Sequence, residues 1–226
     1  MFEKLLEISR NGQHDEDYLT DINNLGHAYK ESGRKEDARR LFLEVLENSA
    51  TLGLENSSTA LAAKNNLALL LNEADPGSTE VERMYEEILE VQLNHLGLAE
   101  DSISVLKTRY NLSEVYLSQE RSSDAIELLE DVFSRCVTLH GPRHAIAKVC
   151  RSGLIMAYTK EGRIKDAARM LLEGELYGQG ASTANILRDG NFAQVYSPYR
   201  ISLTFTNQIE SVVKELRSGT WINRTS

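Results

Sequence analysis

Carboxamide side chains recur along this 226-residue chain in one register. Asn23-Asn24 and Asn65-Asn66 are adjacent pairs 42 residues apart, and Asn111 follows 45 residues after Asn66. A primary amide carries two donor hydrogens and an acceptor oxygen, so such a series can grip the backbone of an extended peptide whatever its sequence. The same groups can instead be spent inside the protein, on the backbones of neighbouring helices. Both uses are open. Lys64, Arg109 and Arg151 hold a second equivalent position. They suit either a basic column facing acidic side chains of a partner or ion pairs with Glu on adjacent second helices.

Other reactive types are sparse. His14-Asp15-Glu16-Asp17 contains metal-ligand chemistry, but acidic residues are also what the dipole of a helix start attracts, and no metal or cofactor is assigned. There is no phosphate-binding glycine loop, paired zinc motif or nucleophile elbow, so no catalytic residue is assigned and the chain is not read as an enzyme. A minor alternative is a pocket built from residues 178–200, with Tyr196, Tyr199 and Arg200 as its chemistry. Cys136 and Cys150 fall within apolar helical patterns and read as small buried hydrophobes.

The elements that must position these residues follow from a second periodicity. Leu25, Leu67, Leu112 and Leu154 are spaced 42, 45 and 42, each followed four residues on by Tyr29, Leu71, Tyr116 and Tyr158. Ala38, Val81, Ala125 and Ala167 each precede a bulky Phe42, Tyr85, Leu129 and Leu171 by four. Pairs at i, i+4 share one helix face, so every unit is a first helix and a second helix folded as an antiparallel hairpin. Ser32-Gly33-Arg34, Asp75-Pro76-Gly77-Ser78 and Glu161-Gly162-Arg163 turn within hairpins. Leu52-Gly53, Leu96-Gly97 and His140-Gly141 turn between them, 44 residues apart, and Ser57-Ser58, Asp101-Ser102 and His144 follow and can cap or open the next helix.

Such a period signals an all-α, right-handed superhelical solenoid of antiparallel helix pairs. The expected units are 16–51, 57–96, 101–139 and 143–176, forming an array over 1–177 that opens with a half-repeat at 1–12. That opening reads as a piece of a longer protein, the alternative being a natural cap. An irregular loop is expected at 178–197, a capping helix at 198–217 carrying Ile201, Phe205, Ile209, Val212 and Leu216 on one face, and a tail at 218–226.

Composition restricts the partners. Hydrophobic residues make up 41% of the chain and only three prolines interrupt it, which suits continuous helices. A net charge of −9 argues against nucleic acid. No apolar run approaches the ~20 residues that cross a bilayer, and the acidic start is unlike a signal peptide, so no membrane is expected and the chain reads as cytoplasmic.

The unit Asn-Asn-Leu-Gly/Ala, an aromatic four later, Gly-Arg, Ala four before Phe, then Leu-Gly resembles the 42-residue tetratricopeptide repeats of kinesin light chains. Similar arrays occur in nephrocystin-like proteins and at the ends of STAND-class NTPase switches. The resemblance implies a concave face lined by the first helices, where a peptide or partner protein is held. Its groove positions fall on Thr20, Asn23, Asn24 and His27; on Ala62, Asn65, Asn66 and Leu69; on Lys107, Tyr110, Asn111 and Glu114; and on Val149, Ser152, Gly153 and Met156, with Arg151 of the basic series expected beside them. The expected function is therefore a protein–protein interaction scaffold. The alternative is the sensor or assembly arm of a multidomain STAND-type switch.

Overall fold

The computed structural model describes residues 16–176 together with Val212. The half-repeat at 1–12, the loop at 178–197, the tail and, Val212 apart, the capping helix lie outside the described residues, as do His14, Asp15, Tyr196, Tyr199 and Arg200. Among the described residues all regular structure is helical: α1 (Glu16–Glu31), α2 (Lys35–Thr51), α3 (Ser58–Ala74), α4 (Thr79–Glu90) continued by a π-helical turn (Val91–His95), α5 (Ile103–Ser118), α6 (Ser122–His140), α7 (Ala145–Lys160) and α8 (Ile164–Leu176). The fold is the all-α solenoid type that the repeat period implies. Two compact units divide it, one ending at Gln119 and the other beginning at Glu120.

In the first unit α1 packs on α2, α2 on α3, α3 on α4 and α4 on α5, while the first helices α1, α3 and α5 also touch in succession. Tyr18, Leu19, Ile22 and Leu25 of α1 meet a core shared with Ala38, Phe42 and Val45 of α2, all buried. Fully burying one such side chain stabilises by about 1.5–3 kcal/mol. The closest approach is at Gly26, where an added Cβ would lie 2.6 Å from Cε1 of Phe42. The corresponding place in α3 is Ala68 and in α5 Ser113, both buried. At Gly26 the absence of a side chain thus lets α1 receive the ring that α2 delivers.

The helix starts use the residues that the sequence offers. Ser57 Oγ accepts from the N–H of Ala60 (3.2 Å) and Ser102 Oγ from that of Val105 (3.4 Å), giving the first turns of α3 and α5 a partner for an otherwise unpaired donor. The turn before α4 is locked from α5: Gln119 Nε2 donates to the carbonyl of Gly77 (3.2 Å) and to Glu82 Oε2 (2.7 Å).

The second unit packs α6 on α7 and α7 on α8. Its core joins Ala125, Leu129 and Val132 to Cys150, Leu154 and Tyr158, with Ala167 and Leu171 behind. His144 caps α7, its Nδ1 accepting from the N–H of Ile146 (3.3 Å). Cys136 Sγ lies 3.2 Å from the same nitrogen, and burial raises the pKa of its thiol.

A clasp recurs at the hairpin turns. Arg34 lies over the Tyr29 ring at 3.8 Å and donates to Asp37 at 2.7 Å. Arg163 lies over Tyr158 at 4.4 Å and donates to Asp166 at 2.8 Å. At the start of α6, Arg121 donates to Asp124 at 2.7 Å in the same spacing. Arg34 and Arg40 hold the Asp37 carboxyl below its usual range.

Candidate functional site

The amide series is not spent on helix backbones; its members bond to one another. Asn66 Nδ2 on α3 donates to Asn23 Oδ1 on α1 (3.3 Å), and Asn111 Nδ2 on α5 donates to Asn65 Oδ1 on α3 (3.0 Å). The adjacent pair on α3 therefore reaches both neighbouring first helices, one amide to each side. Thr20 and Thr59 add a hydroxyl contact of 3.1 Å between α1 and α3. All four paired asparagines are half-buried. The Nδ2 groups of Asn23 and Asn65 and the Oδ1 atoms of Asn66 and Asn111 keep capacity for a further bond among the described residues.

The remaining expected positions distribute as follows. Asn24, His27 and Lys107 are exposed, while Leu69, Tyr110 and Glu114 are half-buried on the first unit's first helices. His27 Nε2 stands 4.0 Å from Glu31. In the second unit, Ser152 and Met156 are half-buried on α7, and the Ser152 hydroxyl donates to the carbonyl of Lys148 at 3.3 Å.

In the first unit Lys64 follows the ion-pair alternative, its partner lying on a second helix, while Arg109 meets a glutamate of a turn. Lys64 pairs with Glu87 of α4, which lowers the Glu87 pKa, and Arg109 lies 3.5 Å from Glu100 in the turn before α5. Arg151 corrects the expectation. Only 4% of it is exposed; its guanidinium sits 5.4 Å from the Phe133 ring and reaches the carbonyl of Pro142 at 3.4 Å. Its long apolar stem and planar head pack between α6 and α7, so it does not present a cation to a partner.

One feature has no counterpart in the sequence reading. A cavity of about 410 Å³ opens between α3, the π-helical turn and α5, walled by Leu61, Ile88, Leu96 and Leu98. Gln92 lines it from the π turn, 4% exposed, with Nε2 donating to Ser104 Oγ at 2.6 Å and Oε1 left without a partner among the described residues. In sequence Val91-Gln92-Leu93-Asn94-His95 reads as a plain continuation of α4. A π turn displaces side chains from that register, and nothing in the residue types marks it.

Electrostatics elsewhere are those of a structural interior. Burial raises the phenol pKa of Tyr85, and burial aided by Glu130 does the same for Tyr158, keeping both neutral. No described helix is long and apolar enough to cross a membrane.

Comparison with known proteins agrees with this architecture. The tetratricopeptide repeat family profile matches residues 22–47 and 105–146. No curated protein matches by sequence. Among solved structures, the chain is similar to BtubC (BKLC) from P. vanneervenii, with 24% identity over 77% of this chain and 69% of that one and a TM-score of 0.68. It is also similar to the Podosopora anserina protein with nearly identical TPR-like repeats of the kinesin light chain kind. That match has 18% identity over 94% of this chain and 100% of that one, again at a TM-score of 0.68.

Proposed function

Because the chain is a tetratricopeptide-repeat protein with the fold of kinesin-light-chain-like repeats, we propose that it is a protein-interaction scaffold that holds an extended peptide along its first helices. Arrays of this kind generally serve as protein–protein interaction scaffolds. The observation that carries the specific reading is the pair of amide bridges, Asn23–Asn66 and Asn65–Asn111. Each bridge fixes two otherwise floppy side chains and leaves one whole NH2 group and one whole carbonyl oxygen unspent. Fixed amides lose little rotamer freedom when a ligand arrives, so more of each new bond appears as affinity. Alternating donors and acceptors match the alternating C=O and N–H groups of an extended backbone. His27, Leu69, Lys107, Tyr110 and Glu114 surround the bridges on the same helices and would supply side-chain preference, with Asn24 at the margin. Ser152 and Met156 belong to the proposed contact in the second unit. The work assigned to this face is holding rather than catalysis, since amides neither activate a nucleophile nor move a proton at neutral pH.

Peptides selected on the full chain from a displayed random library test this reading. Asn66→Ala and Asn111→Ala should each weaken the selected peptides by about 3- to 10-fold, the equivalent of one or two neutral hydrogen bonds. Selected peptides that bind the double variant as tightly as the parent would overturn it.

A further inference from the structure

The cavity at the π-helical turn has chemistry of its own. Its walls, Leu61, Ile88, Leu96 and Leu98, are apolar, and its volume of about 410 Å³ falls in the range of sites that enclose whole small molecules. A single protein side chain would leave much of that space empty and forfeit the contacts that filling it would supply. At its buried side stands Gln92, with 4% of its surface exposed. The bond from Nε2 to Ser104 Oγ, 2.6 Å long, holds the amide in place, and Oε1 has no partner among the described residues. Buried acceptors without partners are rare because the desolvation of the oxygen goes uncompensated. Here the orphan atom belongs to the residue that the π turn carries to the cavity, and such turns often mark functional sites.

We infer that this cavity is a binding site for a neutral small molecule that joins an apolar body to an O–H or N–H donor, the donor meeting Gln92 Oε1. The body displaces water from the leucine and isoleucine walls, and the donor satisfies the buried oxygen. A cationic donor is disfavoured because Lys107 lines the same cavity. A carboxylate is disfavoured because it would set negative charge against the amide oxygen. A pure hydrocarbon leaves the oxygen unpaired and gains only the apolar part. Asn65 also lines the cavity, so the site adjoins the Asn65–Asn111 bridge, but its ligand is read by Gln92 and not by the bridged amides.

The test is a titration of the full, ¹⁵N-labelled chain with 4-propylphenol and, separately, with its methyl ether 4-propylanisole, which has the same body without the donor. The phenol should shift the side-chain amide signals of Gln92 and bind about tenfold more tightly than the ether, the worth of one neutral hydrogen bond. Gln92→Leu, checked for retained helicity by circular dichroism, should bring the two compounds to equal affinity. Ala62→Phe, at an exposed position lining the cavity, should exclude both while leaving Gln92 untouched. Asn23→Ala, which breaks the Asn23–Asn66 bridge and leaves the cavity lining intact, should leave phenol binding unchanged. The inference is overturned if neither compound binds, if the two bind equally to the parent chain, or if the shifts fall away from Gln92. Selected peptides that enter the cavity while neither compound does would also overturn it.

Discussion

Tyr85 illustrates how single polar atoms set the stability of this chain. It occupies in α4 the place that Phe42 holds in α2, is 1% exposed, and its hydroxyl has no partner among the described residues. Tyr158 is buried too, but its hydroxyl donates to Glu130 Oε1 at 2.6 Å. An unpaired buried hydroxyl carries a desolvation cost of about 1–3 kcal/mol, whereas a made bond contributes about 0.5–1.5 kcal/mol. Tyr85→Phe should therefore raise stability by about 1 kcal/mol and Tyr158→Phe lower it by about 1 kcal/mol in urea denaturation. Loss of stability in the first variant would reveal an acceptor for Tyr85. Burial raises both phenol pKa values above the unfolded value of about 10. Stability from these groups is then fully present below about pH 10 and is lost as pH rises toward the folded pKa values. Tyr85→Phe should shift alkaline unfolding to higher pH, and an unchanged midpoint would show that other groups govern it.

At the scale of an element, competing terms meet at Gly26 and Glu120. Alanine is favoured over glycine in a helix by about 1 kcal/mol, so propensity alone predicts that Gly26→Ala stabilises α1. The added Cβ would stand 2.6 Å from the Phe42 ring, and overpacking of that sort costs about 1–3 kcal/mol, so the clash wins and the variant should be less stable. Adding Phe42→Leu should recover part of the loss; if it deepens the loss instead, the ring is not what excludes the methyl. Glu120 holds a left-handed backbone at φ 63°, the conformation that Gly33 and Gly162 supply in equivalent turns. A side chain there costs about 1–2 kcal/mol, so Glu120→Gly should raise the thermal midpoint, partly offset by the freer unfolded chain. The hairpins were legible because burial imposes the i, i+4 spacing on each helix and because glycine and serine punctuate most turns. Glu120 was not: a turn completed without its glycine leaves no signal in residue types. Gly26 was also missed, since its role depends on which ring a second helix delivers.

For the molecule as a whole, the legible part of the candidate site was its chemistry and the illegible part was its geometry. Repetition marked Asn23, Asn65, Asn66 and Asn111, because equal positions in equal units fall on one face. That they bridge in pairs depends on the offset between adjacent first helices, which no single repeat encodes. Arg151 shared the register of Lys64 and Arg109, yet packing against Phe133 took it inward, and Gln92 depended on a local change of helical pitch. If the amide bridges grip a ligand's backbone, recognition should tolerate changed ligand side chains and fail when its amides are altered. The direct measurement takes one selected peptide and replaces its central backbone amides, one at a time, with esters, which lack the donor. Binding to the parent chain should fall by about 3- to 10-fold at the amides facing Asn66 and Asn111, and the same replacements should make no difference in the Asn66→Ala/Asn111→Ala variant. Equal ester penalties in parent and variant, or none in either, would contradict the account.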